Sequence, residues 1–235
     1  MLDSATGGAR TGRVAGLKVT VNTLQIALLA AAAYLCGSIP MGVLVARLTG
    51  GTDPRTVGSG RTGGTNALRA LGRKWALVVV TGDILKGTFP VLLARLASGG
   101  DAGVEVLCAG AAVIGSSNSI FVGFRGGRGV GAGVGTLLII QPLVIPLVAP
   151  VFVGVILVTR YVSLGSLLGS AAILPGMLLV WAVAPGAVPT AYLAWAVIGP
   201  ALVWLAHRDN VLRLLRHEER KFDLGMLGKR RNGAG

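Results

Sequence analysis

The sequence predicts an all-α integral membrane protein, a helical bundle of about seven transmembrane helices with cytoplasmic Gly/Arg-rich loops. Three observations predict it. Only 13% of the 235 residues are charged, while 53% are hydrophobic and the mean hydropathy is +0.73; soluble domains carry about 25% charged residues. The apolar residues form continuous runs with few in-and-out alternations, which excludes a transmembrane β-barrel and favours helices. The basic residues collect in alternate loops, as the positive-inside pattern requires.

Residues 1–21 are rich in Gly, Thr and Arg, show no periodicity and read as a disordered tail. The apolar run that follows is too long for a signal-peptide core, and no convincing cleavage site precedes it. Apolar segments then fall near 24–48, 75–97, 102–122, 130–141, 143–160, 164–183 and 188–206. The fourth is short against the roughly 20 residues that a straight crossing needs, so a partial or tilted span is expected there. Residues 22–222 form the membrane domain and 223–235 a basic C-terminal tail.

An odd number of crossings puts the termini on opposite sides. One side then receives the 49–74 loop with Arg55, Arg61, Arg69, Arg73 and Lys74, then Arg125 and Arg128, then Arg160, then the basic C-terminal segment. The other receives short, nearly uncharged turns. The C-terminus is therefore expected in the cytoplasm and the N-terminus outside, with Arg10, Arg13 and Lys18 as the exceptions to the rule. Membrane orientation accounts for most of the net charge of +13, and no nucleic-acid partner is expected. Cys36 and Cys108 both lie in apolar runs and read as small buried hydrophobes, not as a disulfide or metal set.

All the unusual polar segments fall on the cytoplasmic side. VGSGRTGGTNALR (Val57–Arg69) combines glycines, hydroxyls and arginines without an acid. Glycines let backbone N–H groups turn toward one point, and arginine forks match phosphate. Gly58, Gly60, Thr65 and Asn66 are its candidate phosphate-binding residues; a flexible positive-inside loop is the plain alternative. It is not a Walker loop, whose spacing is absent. In FRGGRGVGAGVG (Phe124–Gly135), Arg125 and Arg128 flank a glycine pair at a helix start, where free N–H groups favour an anion. The same small residues would also serve close helix packing. In TGDILKG, Asp83 and Lys86 share a helix face inside a span, where charges are costly. They read either as functional, with Lys86 toward phosphate, or as a self-neutralising structural pair. His207, Asn210 and Arg213 recur every third residue as the last span ends. Ser163 and Ser166 sit at another cytoplasmic helix start, where serine often only caps.

No carboxylate pair, Ser/His/Asp set or metal-ligand cluster appears. The residues alone support a membrane site that holds anions: transfer between phosphorylated substrates, or non-catalytic binding or movement of an anionic lipid or phosphorylated metabolite.

The motifs GSIPMG, DPRTVGSGRTGGTNALRALG, GDILKG, GFRGGRGVG, RYVSLGS and HRDNVLRLL occur in the order seen in the PlsY family, which this chain resembles from about Tyr34 to Phe222. The resemblance implies a multi-pass bacterial inner-membrane enzyme with its site open to the cytoplasm. It implies transfer of the acyl chain of an acyl phosphate to the 1-hydroxyl of glycerol 3-phosphate, giving lysophosphatidic acid and phosphate for phospholipid synthesis. No cofactor or metal is expected; the partners are the two substrates and the lipid bilayer. The family's functional residues fall on Ser59, Arg69, Arg128, Ser166, His207 and Asn210, its phosphate cradle on Gly126, Gly127 and Gly129, and its structural glutamate on Glu219. This chain departs from the usual pattern at Arg61 (asparagine in most members), Gly64 (alanine), Ser116 (histidine) and Arg128 (lysine).

Overall fold

A computed structural model describes residues 10–14, 17–184, 186–223 and 225. Each of the seven apolar segments is helical. The first becomes α1 (Thr23–Ser38) and α2 (Met41–Thr49), bent by 46°. Pro40, which lacks an N–H and sits at the N-cap of α2, marks the break. A short α3 (Gly64–Leu71) precedes the long α4 (Arg73–Ser98), followed by α5 (Ala102–Ser117) and α6 (Val130–Ile140). Then come α7 (Ile145–Thr159), α8 (Val162–Ala171), α9 (Ile173–Val183), α10 (Thr190–Ala206) and α11 (Arg208–Leu215), the last bent 66° from α10.

Four stretches are long and apolar enough to cross a bilayer unaided: Arg73–Ser98, Ala102–Val122, Pro142–Thr159 and Val162–Val183. The bent pairs α1/α2 and α10/α11 raise that to as many as six. The eleven residues of α6 extend only about 16 Å at 1.5 Å per residue, the shortness expected of the fourth segment. Large apolar side chains point outward along these helices: Leu77 is 69% exposed, Phe89 62% and Val158 85%. In water that surface would aggregate the protein; in lipid it is the solvent-facing side.

Helix contacts in lipid depend on close backbone approach, and glycines supply it here. A Cβ on Gly135 would sit 2.0 Å from the Ile84 carbonyl, and one on Gly87 would sit 2.1 Å from that of Ala132. So α4 and α6 touch backbone to backbone, and Thr88 Oγ1 adds a bond to the Gly135 carbonyl at 3.0 Å. Likewise, Gly37 meets Ala112 and Gly115 meets Tyr34 between α1 and α5. The main core gathers Val91, Val113, Leu137, Met177 and Trp195 from α4, α5, α6, α9 and α10.

Two features differ from the sequence reading. The stretch 1–21, expected to be a disordered tail, contains an antiparallel hairpin of β1 (Arg10–Val14) and β2 (Leu17–Val21), which packs against α4. Its end is anchored by Val21, buried against Ala33, Ala94 and Val104. Residues 1–9, and the basic C-terminal tail beyond Asp223 except Gly225, lie outside the described residues. The second feature is a buried cluster unmarked by any motif. Glu105, 0% exposed, accepts both an Arg95 fork (3.0 and 2.7 Å) and the Tyr192 hydroxyl (2.7 Å), tying α4, α5 and α10 together.

Candidate active site

The polar segments converge on one cavity of about 450 Å³. Four helix starts meet its wall: Gly63–Thr65 at α3, Gly127–Gly131 at α6, Val162–Ser166 at α8, and His207 at α11. First-turn amides lack intrahelical acceptors, and each helix start carries partial positive charge. The first turns of α3, α6 and α8 hold no acidic residue that would use this up. Arg61, Arg69, Arg128, Arg213 and Arg220 line the same space, against Asp83 and Glu219. Such a wall suits an anionic ligand.

Asn66 organises the first loop. Its Nδ2 donates to Ser59 Oγ (3.1 Å) and to the Arg61 carbonyl (2.9 Å), while Oδ1 accepts from Arg69 Nη1 (3.0 Å). Ser59 thus uses its oxygen as an acceptor and keeps its O–H for another group. Gly58, at φ +57°, lies so close that a Cβ would fall 2.4 Å from Asn66 Oδ1. Burial, then the charge of Arg220, pushes the Arg69 pKa down, opposed by Glu219; it stays a cation.

On the far wall, Arg128 forms a fork with Asp209 (2.8 and 2.9 Å) and a third bond to the Ala206 carbonyl (2.8 Å). Burial alone would raise the Asp209 pKa; bonds from Arg128 and the charges of Arg128, Arg213 and Arg61 overcome it and hold the carboxyl well below its usual range. His207, in the break after α10, is buried, with Nδ1 2.8 Å from the Val203 carbonyl. A carbonyl only accepts, so Nδ1 carries the proton and Nε2 is the free acceptor. Burial first, then the Arg128 charge, drives its pKa down to about 4.

The segment after α11 straps the site shut from the side. Glu219 accepts from Ser163 Oγ (2.8 Å), Asn210 Nδ2 (2.7 Å) and Arg213 Nε (2.9 Å). The Phe222 N–H reaches the Arg160 carbonyl at 2.6 Å, and Arg220 donates to the Gly58 carbonyl. Among the described residues Asn210 Oδ1 is buried without a donor. Val80, Ile84, Val130, Val134, Phe152 and Val162 form an apolar part of the wall.

Ser59, Arg69, Arg128, Ser166, His207 and Asn210 all line this cavity, with Gly58, Thr65, Asn66, Gly127, Gly129, Asp83 and Glu219. Gly60, Lys86, Arg125 and Gly126 do not. Lys86 is buried; its ammonium pairs with Asp83 at 2.8 Å and donates at 3.0 Å to the Ile39 carbonyl in the α1/α2 break, an oxygen that also accepts from the Met41 N–H at 3.0 Å. The amides of Gly126 and Gly127 donate to the Ser117 (3.1 Å) and Ser116 (2.8 Å) carbonyls, so they satisfy the end of α5 and are not free for a ligand. Asp209, Arg220 and Gly63 were not singled out from the sequence. Asp209 had a signal: it is an acid amid bases, four residues before Arg213.

Fold and site together define an integral membrane protein with an arginine-lined cavity whose wall is partly apolar. The family model for glycerol-3-phosphate acyltransferase matches residues 27–217, and the chain belongs to that family, PlsY. It is similar to the glycerol-3-phosphate acyltransferase of Thermus thermophilus, with 44% identity over 192 residues, 80% of this chain and 91% of the relative. That of Geobacter sulfurreducens is 38% identical over 207 residues, covering 83% and 96%. Among solved structures it resembles PlsY (YgiH), an integral membrane glycerol 3-phosphate acyltransferase, in its glycerol 3-phosphate form. The TM-score is 0.77 at 35% identity, covering 87% of this chain and 99% of the other. The lysophosphatidic acid form matches with a TM-score of 0.74.

Proposed function

We propose that this protein transfers the acyl chain of an acyl phosphate to the 1-hydroxyl of glycerol 3-phosphate, giving lysophosphatidic acid and phosphate, with the cavity open to the cytoplasm of a bacterial inner membrane, the C-terminus inside and the N-terminus outside. The observation that carries this reading is that one cavity joins five arginines and four helix starts to a partly apolar wall. Two phosphates repel each other, so a site that brings them together must supply cations and fixed dipoles. A head that is anionic and a tail that is apolar describe an acyl phosphate; a small polyol phosphate fits the polar remainder.

An acyl phosphate is a mixed anhydride with a good leaving group, and direct attack suffices. The acceptor hydroxyl oxygen bonds to the carbonyl carbon as the carbon–oxygen bond to phosphate breaks, and phosphate leaves with the electron pair. Arg69, Arg128 and the helix amides stabilise the phosphates, Ser59 supplies an O–H donor, Ser166, whose O–H donates to the Val162 carbonyl at 2.9 Å, offers its oxygen as an acceptor, and Asn210 Oδ1 accepts from the acceptor polyol. A histidine with a pKa near 4 is a weaker base than a phosphate dianion, whose second pKa is about 6. His207 therefore positions the acceptor by accepting from its other hydroxyl through Nε2, and the proton of the attacking hydroxyl passes to phosphate. The test is phosphate release by the purified protein in detergent or a lipidic phase. Release that requires both substrates supports the reading; release without acceptor, or none, defeats it.

A further inference from the structure

The cavity's cations fall into two groups with different surroundings. Arg69 has Arg220 and Glu219 as its charged neighbours, and Arg61 has Arg128, Asp209, Arg208 and Arg125. In the first group every guanidinium is tied: Arg69 to Asn66, Arg220 to the Gly58 carbonyl, and nearby Arg213 to Glu219. In the second, Arg128 is held by Asp209 and the Ala206 carbonyl.

Arg61 differs from the other four. It lines the cavity half-buried, yet among the described residues its guanidinium has no hydrogen bond and no carboxylate within ion-pair distance. The opposite charge that acts on it, Asp209, is already occupied by the Arg128 fork and Arg213. The Arg61 main chain is fixed, its carbonyl accepting from Asn66 Nδ2 at 2.9 Å. A partly desolvated cation on a fixed stem, repelled by three arginines, is stabilised by an anion from outside.

The position of Arg61 identifies that anion. Its neighbour Arg128 lies two residues before the start of α6, and on α6 Val130 and Val134, four residues apart on one face, continue the cavity wall. Ile84 and Phe152 line the same cavity. A ligand with its anionic head at Arg61, Arg128 and the α6 amides has its apolar tail along Val130 and Val134. Arg69, Arg220, Ser163 and Asn210 lie together among polar groups, with Val162 beside Ser163, and suit the smaller acceptor. We propose that Arg61 is a donor-specificity residue, binding the phosphoryl group of the acyl phosphate and not the phosphate of the acceptor. This rests on the acyl-phosphate reading above and extends it by dividing the two phosphates between two arginine groups.

Steady-state kinetics in detergent, with each substrate varied in turn, test it on R61Q, R61N and R61K. Loss of one charge-assisted contact raises the KM for acyl phosphate about tenfold in R61Q and R61N. The KM for glycerol 3-phosphate stays within twofold, and R61K, which keeps the charge without the fork, lies between. A donor KM unchanged within twofold overturns the proposal, as does an equal or larger rise in the acceptor KM. Loss of folded protein in both R61Q and R61K would make Arg61 structural and overturn it too. Wild-type turnover with unaffected R61Q kinetics sinks this inference alone; absence of wild-type turnover with both substrates sinks the reading beneath it.

Discussion

Replacing Glu219 by glutamine tests how the strap after α11 holds the cavity. Oε1 accepts from Ser163 and Asn210, and Oε2 from Arg213 Nε. The amide keeps one oxygen for the first two, but it sets an N–H against the N–H of Arg213. The lost bond is charge-assisted and one partner is nearly buried, at 8% exposure; such bonds contribute about 1.5–3 kcal/mol. For a chain of this size about 2 kcal/mol corresponds to a fall of roughly 4–8 °C in Tm. E219A, which removes all three bonds, falls further. S163A, which removes one, falls by about half as much or less. Because Asn210 and Ser163 both line the cavity, E219Q also lowers kcat, by about tenfold. Thermal unfolding of the detergent-solubilised protein, followed beside the rate of phosphate release, measures both. A Tm for E219Q within about 1 °C of wild type, far below the expected shift, together with an unchanged rate would refute the reasoning.

Gly58→Ala places a side chain in the left-handed region, at about 1–2 kcal/mol, and drives it into Asn66 Oδ1 and Arg69 Nη1; activity is expected to fall far more than Tm in the same two assays. His207→Gln is expected to lower kcat without changing the shape of the pH–rate profile between about pH 5.5 and 8.5. With a pKa of about 4, His207 is neutral above that value and protonates only below the window, so a limb present in wild type and absent in H207Q would contradict it. Gly135→Leu, whose Cβ would meet the Ile84 carbonyl at 2.0 Å, is expected to lose folded protein in size-exclusion chromatography, whereas Gly110→Ala, which meets nothing within 4 Å, is expected to behave as wild type.

Much of the fold was legible because lipid imposes a simple code. A continuous apolar run must satisfy its backbone internally, so each run became a helix, including the short one at α6. The hairpin at 10–21 was not legible: its strands are five residues each, too short for alternation to stand out, and Val21 gains its weight only from neighbours on α1, α4 and α5. The site was legible where its residues cluster in sequence, as from Gly58 to Arg69. Partnerships over long separations were not. Nothing local pairs Arg128 with Asp209, 81 positions apart, or Glu105 with Tyr192, 87 apart. Lys86 shows the opposite failure. A lysine near an anion site invites a role in phosphate binding, but the Lys86 ammonium is taken by Asp83 and by the Ile39 carbonyl in the α1/α2 break.

The central claim is that one cavity brings two phosphates together and moves an acyl group from one to the other. Phosphorus NMR of the purified protein in lipid, with acyl phosphate and glycerol 3-phosphate present, follows all four phosphorus species at once. The expected result is loss of both substrates matched one to one by lysophosphatidic acid and inorganic phosphate. Phosphate accumulating without lysophosphatidic acid, or both substrates persisting unchanged, would contradict it.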